Sequence, residues 1–555
     1  MLTYVYVCYV NVSSGVAVKK FVKIVPFLIA LMLLTVCGIL HDIPVRDVAH
    51  RYIPMAESFA EGNFAFAFHP RVPPLHTTIA GTVAFLTGVD GFTACKIASS
   101  LWFLAGIFLI YQLVLHVTSN DRRAAWWSAL IYSIFPYSVQ MASYGLRESL
   151  KSFIFLLAAL SLVRIKDDSK NFVHYILLGI AGAFAVMNRT DMVLLAALFI
   201  LSSAFFECRQ SKVPLLSALS GAVMISLSLP AVCIHYRLFK MAMPDFRFAI
   251  LFKKITGRFP DIPEYLATAA AALVVLLVLG WVLEKVSRKV SVRYLVPLTL
   301  LFTAAVVCRF IIVHHTPWAV VKSFLNSLAE GYYTVAGAFI VLYILWRLRY
   351  RKLNTCEVLL LTLVFANTVF NILAIIWNQN MLYVSSRYLH PAMPLLFCFF
   401  VCGVRDVYEF ICRHLPLRWA NALLVLAVTG IAGAMLAHLF QTPLRDRVKN
   451  RSIMQRKKVH TLAAMIRQDF KSDSADFPLK TDIRHYVGAK RPRLYCTAGN
   501  KISVAAYFAG GSLVFEPENA DYIAICDQEK IPENSVLIGT IRAHKRIFKV
   551  WRVNR

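Results

Sequence analysis

The stretch from His41 to Leu75, HDIPVRDVAHRYIPMAESFAEGNFAFAFHPRVPPL, decides how this chain is read: it is a charged, proline-bearing interval directly behind the first long apolar run, Phe21–Leu40. It gathers Asp42, Asp47, His50, Arg51, Tyr52, Glu57 and Glu61. Carboxylates, cations and an aromatic ring at the mouth of an apolar bundle mark the place where chemistry is expected. The rest of the chain reads as the scaffold that holds this interval in place.

Working outward, the 555 residues are 58% hydrophobic and only 16% charged, with a mean hydropathy of +0.62. Too few polar side chains exist to cover a soluble globule of that size, so the chain is read as an integral membrane protein. A spanning helix needs about 20 mostly apolar residues, and such runs recur almost to residue 440. The formal charge of +29 sits mostly in short loops between apolar runs, where membrane topology and anionic lipid account for it. Nucleic acid is therefore set aside as a partner. The 12 cysteines are scattered without a CxxC pair and read as small buried hydrophobes; Cys496 and Cys526 share the polar tail and could pair if that tail is extracytoplasmic.

Lys19, Lys20 and Lys23 flank the first apolar run and no small-residue cleavage site follows it, which predicts a signal anchor behind an N-terminal extension, residues 1–20. The first loop, 41–96, then faces outward. Val72–Val89 is short, opens with Pro73 and Pro74, and is expected to lie in the interface rather than cross. That choice puts Arg122, Arg123, Arg164, Lys166, Arg209, Lys285, Arg347, Arg405 and Arg413 on one side, as the positive-inside bias requires. It yields about thirteen spans: Phe21–Leu40, Ile97–Val117, Ala124–Tyr144, Ser149–Val163, Phe172–Met187, Met192–Phe206, Val213–His235, Tyr265–Val282, Tyr294–Ile312, Tyr332–Trp346, Glu357–Trp377, Tyr388–Val404 and Asn421–Phe440. An odd count places residues 441–555 outside. Lys449, Arg451, Arg456, Lys457 and Lys458 oppose that sidedness, a rule that long translocated domains obey weakly. In the tail, a helix is expected over Met454–Phe470 and another near Ile502–Phe508. Strands are expected at Leu494–Cys496, Ser512–Phe515, Asp521–Cys526 and Ile547–Val553, making a small α/β domain.

Ionisable groups are costly in hydrocarbon and functional by default when found there; here they gather at the external ends of the spans. Asp47 is a candidate general base, since a carboxylate partly desolvated beside apolar neighbours is pushed toward neutrality; the blander role is a helix cap or an ion pair with Arg46 or Arg51, and Asp42 is its rival. Glu148 could bind a divalent cation or orient the acceptor, or simply pair with Arg147 or Lys151. Arg189 with Asp191 follows another span, and Arg387 beside Tyr388 sits where a lipid phosphate would lie, although both also suit interfacial anchoring. Lys253, Lys254 and Arg258 are further phosphate candidates or a solvated loop face, and His314 with His315 lacks a third metal ligand at recognisable spacing.

The order of these features resembles the GT-C membrane glycosyltransferases, especially the bacterial branch similar to protein O-mannosyltransferases and the lipid A aminoarabinose transferase. The residues that carry the resemblance are Asp47 with Arg51-Tyr52, the helix ending at Gly62-Asn63, HPRVPPL from His69 to Leu75, Glu148 in the next external loop, Arg189 after GIAGAFAVMN, and RYLHPAMP from Arg387 to Pro394. It covers roughly residues 21–440. It implies a GT-C-like membrane module over 21–440, with the soluble extracytoplasmic α/β domain behind it, in a bacterial inner membrane. The reaction implied is sugar transfer from a polyprenyl-phosphate donor to a glycan, lipid or protein acceptor outside the cytoplasm, with Asp47 and Glu148 catalytic and possible ligands for Mg2+ or Mn2+. Substrate would be held by Arg51, Tyr52, His69, Arg147, Arg189, Lys253, Arg387 and Tyr388. The family often carries an acidic pair shortly before the tyrosine, where this chain has Val48 and Ala49. The competing readings are a transporter or lipid-linked glycan flippase, which would place ionisable or helix-breaking residues near the midplane, and a non-catalytic envelope assembly subunit.

Overall fold

The computed structural model describes residues 16–41, 44–45, 47–68, 72–189, 192–211, 213–242, 246–287, 326, 334–350, 353–377, 386–448, 461–466, 468–469, 493–496, 512–513, 520–526, 534–543 and 546–554. Asp42, His69, Asp191, His314, His315, the span Tyr294–Ile312 and the helix expected near Ile502–Phe508 lie outside them. Two compact units emerge: Met1–Leu33 with Leu101–Val139 and Arg147–Leu436, and Leu34–Ser100 with Gln140–Leu146 and Ala437–Arg555.

The first unit is a helical bundle of α1 (Val16–Leu40, in part), α5 (Gly91–Val117, in part), α6 (Arg122–Ile134), α8 (Glu148–Asp167), α9 (Phe172–Asn188), α10 (Met192–Gln210), α11 (Leu215–Phe239), α12 (Phe246–Thr256), α13 (Ile262–Ser287), α14 (Thr334–Tyr350), α15 (Thr355–Trp377), α16 (Phe397–His414) and α17 (Leu417–Val448, in part). Five helices among the described residues are long and apolar enough to cross a membrane by length and composition: Gly91–Val117, Met192–Gln210, Leu215–Phe239, Ile262–Ser287 and Leu417–Gln441. Others expected to span are shorter or more charged, as Phe172–Asn188 and Glu148–Asp167 are. The physical reason is burial. Helix α8 is covered along most of its length by neighbouring helices, so it can carry Glu148, Ser149, Lys151 and Ser152 inside the protein instead of showing lipid an apolar face. Helix α13, by contrast, is mostly exposed and carries no charge between Glu264 and Glu284.

Small residues let the helices approach closely. A Cβ on Gly179 would meet the Ser220 carbonyl oxygen at 2.6 Å, and one on Gly280 would meet Ala204 Cβ at 2.6 Å, the packing rule of membrane bundles. Helix starts are capped by side chains: Asp121 accepts from the amides of Arg123 and Ala124, Asn171 from Val173, and Asn354 with Glu357 exchanges reciprocal bonds. Two expected spans are not continuous helices. Pro136 cannot donate to the preceding turn, so Ala124–Tyr144 breaks at extended Phe135 into α6 and α7 (Pro136–Ser143). Likewise Pro391 and Pro394 turn the start of Tyr388–Val404 into 3-10 turns, Ser386–Tyr388 and His390–Leu396, before α16 begins.

The second unit holds the first loop. After Asp47 comes a single π-helical turn, Val48–Tyr52, then α2 (Ile53–Ala60), α3 (Phe64–Ala67) and α4 (Leu75–Thr87). At about 1.5 Å per residue, the 13 residues of α4 reach only about 20 Å, short of a hydrocarbon core of about 30 Å. Phe85 and Leu86 stand exposed on it, while Gly81 presses on α2, where a Cβ would lie 2.7 Å from Phe59 Cβ and 2.8 Å from the Ala56 carbonyl oxygen. Gly81→Val is therefore expected to lower stability by about 1–3 kcal/mol, against a change within about 0.5 kcal/mol for Thr82→Val on the exposed side. Thermal unfolding in detergent checks this; equal effects would remove the packing argument.

His41 lies just past α1, stacked on Tyr144 at 4.1 Å, with Nδ1 2.8 Å from Ser143 Oγ. Ser143 Oγ donates to the Gln140 carbonyl oxygen, so His41 Nδ1 is the donor of the pair. Burial, then the nearby Lys96 ammonium, push the imidazole down from 6.5 to about 4. A depressed histidine binds its proton in the unfolded chain first, so stability is complete above pH 6.5 and falls as pH drops toward 4, by roughly 3 kcal/mol in all. His41→Gln should flatten the fall in melting temperature between pH 7 and pH 4.5.

The polar tail of the same unit forms a five-stranded mixed sheet of order β2-β1-β3-β5-β4, built from β1 (Arg493–Cys496), β2 (Ser512–Leu513), β3 (Tyr522–Cys526), β4 (Ser535–Ala543) and β5 (Arg546–Val553). Strands β1, β2 and β3 run parallel, and β3, β5 and β4 antiparallel. Four strands fall where the sequence pattern places them; β4 is additional, its alternation broken by a register shift between Leu537 and Gly539. Cys496 is level with Ala524, two residues short of Cys526.

Candidate functional site

Glu148 opens α8 and is 2% exposed. The local chain explains that start. Gly145, at φ +74°, closes α7 with its amide on the Ala142 carbonyl; the Gly145 carbonyl accepts from His76 and the Leu146 carbonyl from Ser99. Helix α8 starts directly after this pinned turn.

At Glu148, side chains from far apart in sequence meet. Arg189, the residue that ends α9, donates from Nη1 to Glu148 Oε1 at 3.4 Å, and Arg387 Nε lies 3.8 Å from the same oxygen. Both guanidinium groups lie over the Tyr388 ring, 4.3 Å and 4.9 Å from its centroid, and Arg387 also donates to the Tyr388 hydroxyl at 3.0 Å. Lys151, fully buried one turn along α8, donates to the Tyr388 carbonyl at 3.5 Å, joined there by the Nδ2 groups of Asn367 and Asn371 at 3.3 Å and 3.4 Å. Arg147 Nη1 donates to the Asn188 carbonyl at 2.9 Å.

Arg189 and Arg387 both face the Glu148 carboxylate, and guanidinium forks match the geometry of a phosphate. Two buried acceptors, Glu148 Oε2 and Asn188 Oδ1, have no hydrogen-bond partner among the described residues. They could receive hydroxyl donors. A divalent cation fits poorly at Glu148, because two guanidinium groups already face its carboxylate. Among the described residues no three His, Cys, Asp or Glu side chains group as metal ligands.

The other expected residues sit as follows. Asp47, half-buried, precedes the π-helical turn without capping it through its side chain. Arg51 is exposed; Tyr52 is buried, its ring edge-on to His76 at 5.5 Å. Lys253 does not join the Glu148 group; its ammonium lies 4.6 Å from the Phe259 ring. Asn188, Asn367 and Asn371 were not expected, while Lys151, three residues past Glu148 in an apolar run, was expected only as a possible ion-pair partner of Glu148.

Comparison with known proteins bears on this geometry. The family model of dolichyl-phosphate-mannose-protein mannosyltransferases matches residues 71–233, which include α8, Glu148 and Arg189. No curated protein sequence matches the chain. Among solved structures, the Archaeoglobus fulgidus oligosaccharyltransferase, in a complex with Zn and sulfate, is similar at 13% identity and a TM-score of 0.49, over 89% of this chain and 63% of that one. The present chain thus spans under two thirds of that protein's length. ArnT from Cupriavidus metallidurans bound to undecaprenyl phosphate is similar at 12% identity and a TM-score of 0.41, over 95% of this chain and 97% of that one. Over residues 71–233, under a third of its length, this chain is similar to the dolichyl-phosphate-mannose-protein mannosyltransferases.

Proposed function

We propose that this chain transfers a sugar from a polyprenyl-phosphate carrier to an acceptor on the extracytoplasmic face of its membrane. The observation that supports this most is the partly buried cluster of Glu148, Arg189, Arg387 and Tyr388, a cationic seat with a buried carboxylate that aligns the guanidinium groups. In the proposed reaction the acceptor hydroxyl loses its proton to a base, its oxygen bonds to the anomeric carbon, and the bond from that carbon to the phosphate oxygen breaks. The prenyl phosphate leaves with the electron pair. Arg189 and Arg387 stabilise the charge that develops on it, with Lys151 adding a third positive charge. Glu148 Oε2 and Asn188 Oδ1 accept hydroxyls of the sugar or the acceptor. Asp47 is the proposed base, on the family resemblance of the first loop.

Purified full-length protein in detergent should transfer label from a polyprenyl-phosphate sugar to envelope glycan or lipid acceptors, and none from a nucleotide sugar. Transfer from the nucleotide sugar alone would overturn the proposal.

A further inference from the structure

A cavity lies within the helical bundle at the end away from Glu148. Its volume is about 570 Å3, within the range of about 300–1,000 Å3 that ligand pockets span. Helices α6, α16 and α17 wall it with apolar side chains, among them Trp127, Ile131, Phe400, Val404, Val428 and Met435. Its polar rim includes Asp121, Arg123, Arg405, Tyr408 and Glu409. Helix α8 separates the two ends: Glu148 opens it, while Arg164 near its other end bonds His116 in the last turn of α5, five residues before the rim begins at Asp121. Twenty residues at about 1.5 Å each hold the ends about 30 Å apart.

We propose that this groove binds a membrane phospholipid, one acyl chain between α6, α16 and α17 and its phosphodiester against Arg123. Three observations support that occupant. The wall of α17 from Leu424 to Met435 runs about 16 Å, the depth of one leaflet of a core about 30 Å thick. Arg405 is already engaged by carboxylates, at 2.9 Å from Asp121, 3.5 Å from Asp406 and 3.7 Å from Glu409. Arg122 and Arg123, both exposed, have no side-chain partner among the described residues, so a guanidinium at the rim is left for a phosphate. The rim belongs to the basic end of the bundle, where the charge pattern places the cytoplasmic leaflet. A carrier whose phosphate sits at Glu148 cannot also reach Arg123 with that phosphate.

Native mass spectrometry of the full-length protein, reconstituted in phosphatidylglycerol-containing nanodiscs and released into mild detergent, tests this. The wild type should retain one phosphatidylglycerol adduct. Arg123→Glu, on an exposed residue, and Val428→Trp, which fills the groove without changing charge, should each lower its occupancy about tenfold while leaving sugar transfer in place. Full retention in either variant overturns the proposal, and so does an adduct that proves to be a neutral lipid or a polyprenyl phosphate. If Val428→Trp is poorly folded, the charge reversal alone decides the outcome.

Discussion

Glu148→Gln is expected to lower sugar transfer by about 10^2–10^3-fold while the protein still inserts and folds. The side chain is 2% exposed and its Oε1 faces Arg189 at 3.4 Å and Arg387 at 3.8 Å. Glutamine keeps the volume but removes the negative charge that holds two guanidinium groups in one place, so they separate and the anion seat loses its shape. Glu148→Ala should be harsher on stability. Removing one partner of a buried pair costs about 3–5 kcal/mol, and the lower end applies here because Arg387 is 28% exposed and can turn toward water. Fully buried Lys151 has no such escape. The kinetic split separates the roles: loss of guanidinium alignment lowers kcat and raises KM for the lipid donor, whereas a merely structural residue would lower the melting temperature and leave the turnover of the folded fraction intact. Wild-type turnover in Glu148→Gln would dismiss this cluster as the phosphate seat.

The second large effect is expected at Asp47. Asp47→Asn should reduce kcat by about 10^2–10^4-fold, the range for losing a general base, with KM for the carrier nearly unchanged. Because the Asp47 side chain does not cap the π-helical turn that follows it, the substitution removes no cap. Turnover is therefore measured per folded protein, with the melting temperature recorded beside it, so that loss of turnover in the folded fraction reports on chemistry. Asp42→Asn serves as the rival: if that variant is inactive and Asp47→Asn is not, the base has been assigned to the wrong carboxylate.

Much of the architecture follows from local pattern. Apolar runs bounded by Arg and Lys mark the helices, Pro73 and Pro74 with two glycines mark α4 as too short to cross, and the alternation in IFKVWRV marks β5. Where local signals compete, the pattern fails. Ala124–Tyr144 carries no charged residue, yet one residue, Pro136, ends α6 because it cannot donate to the turn before it. Strand β4 was hidden because the register shift near Gly539 interrupts the two-residue period on which strand reading depends.

By itself, then, the sequence determined a polytopic membrane chain, a charged first loop, a small α/β tail, and Glu148, Arg189 and Arg387 as residues of interest, since the cost of placing charge near hydrocarbon is legible in one dimension. Only the tertiary structure decided that those three share one oxygen and one tyrosine ring, that buried Lys151 and three asparagines complete the cluster, and that Lys253 stands apart with Phe259. The reason is physical: spacing along a helix says which residues share a face, but which faces meet is set by close packing between separate helices, as at Gly179 against Ser220 and Gly280 against Ala204.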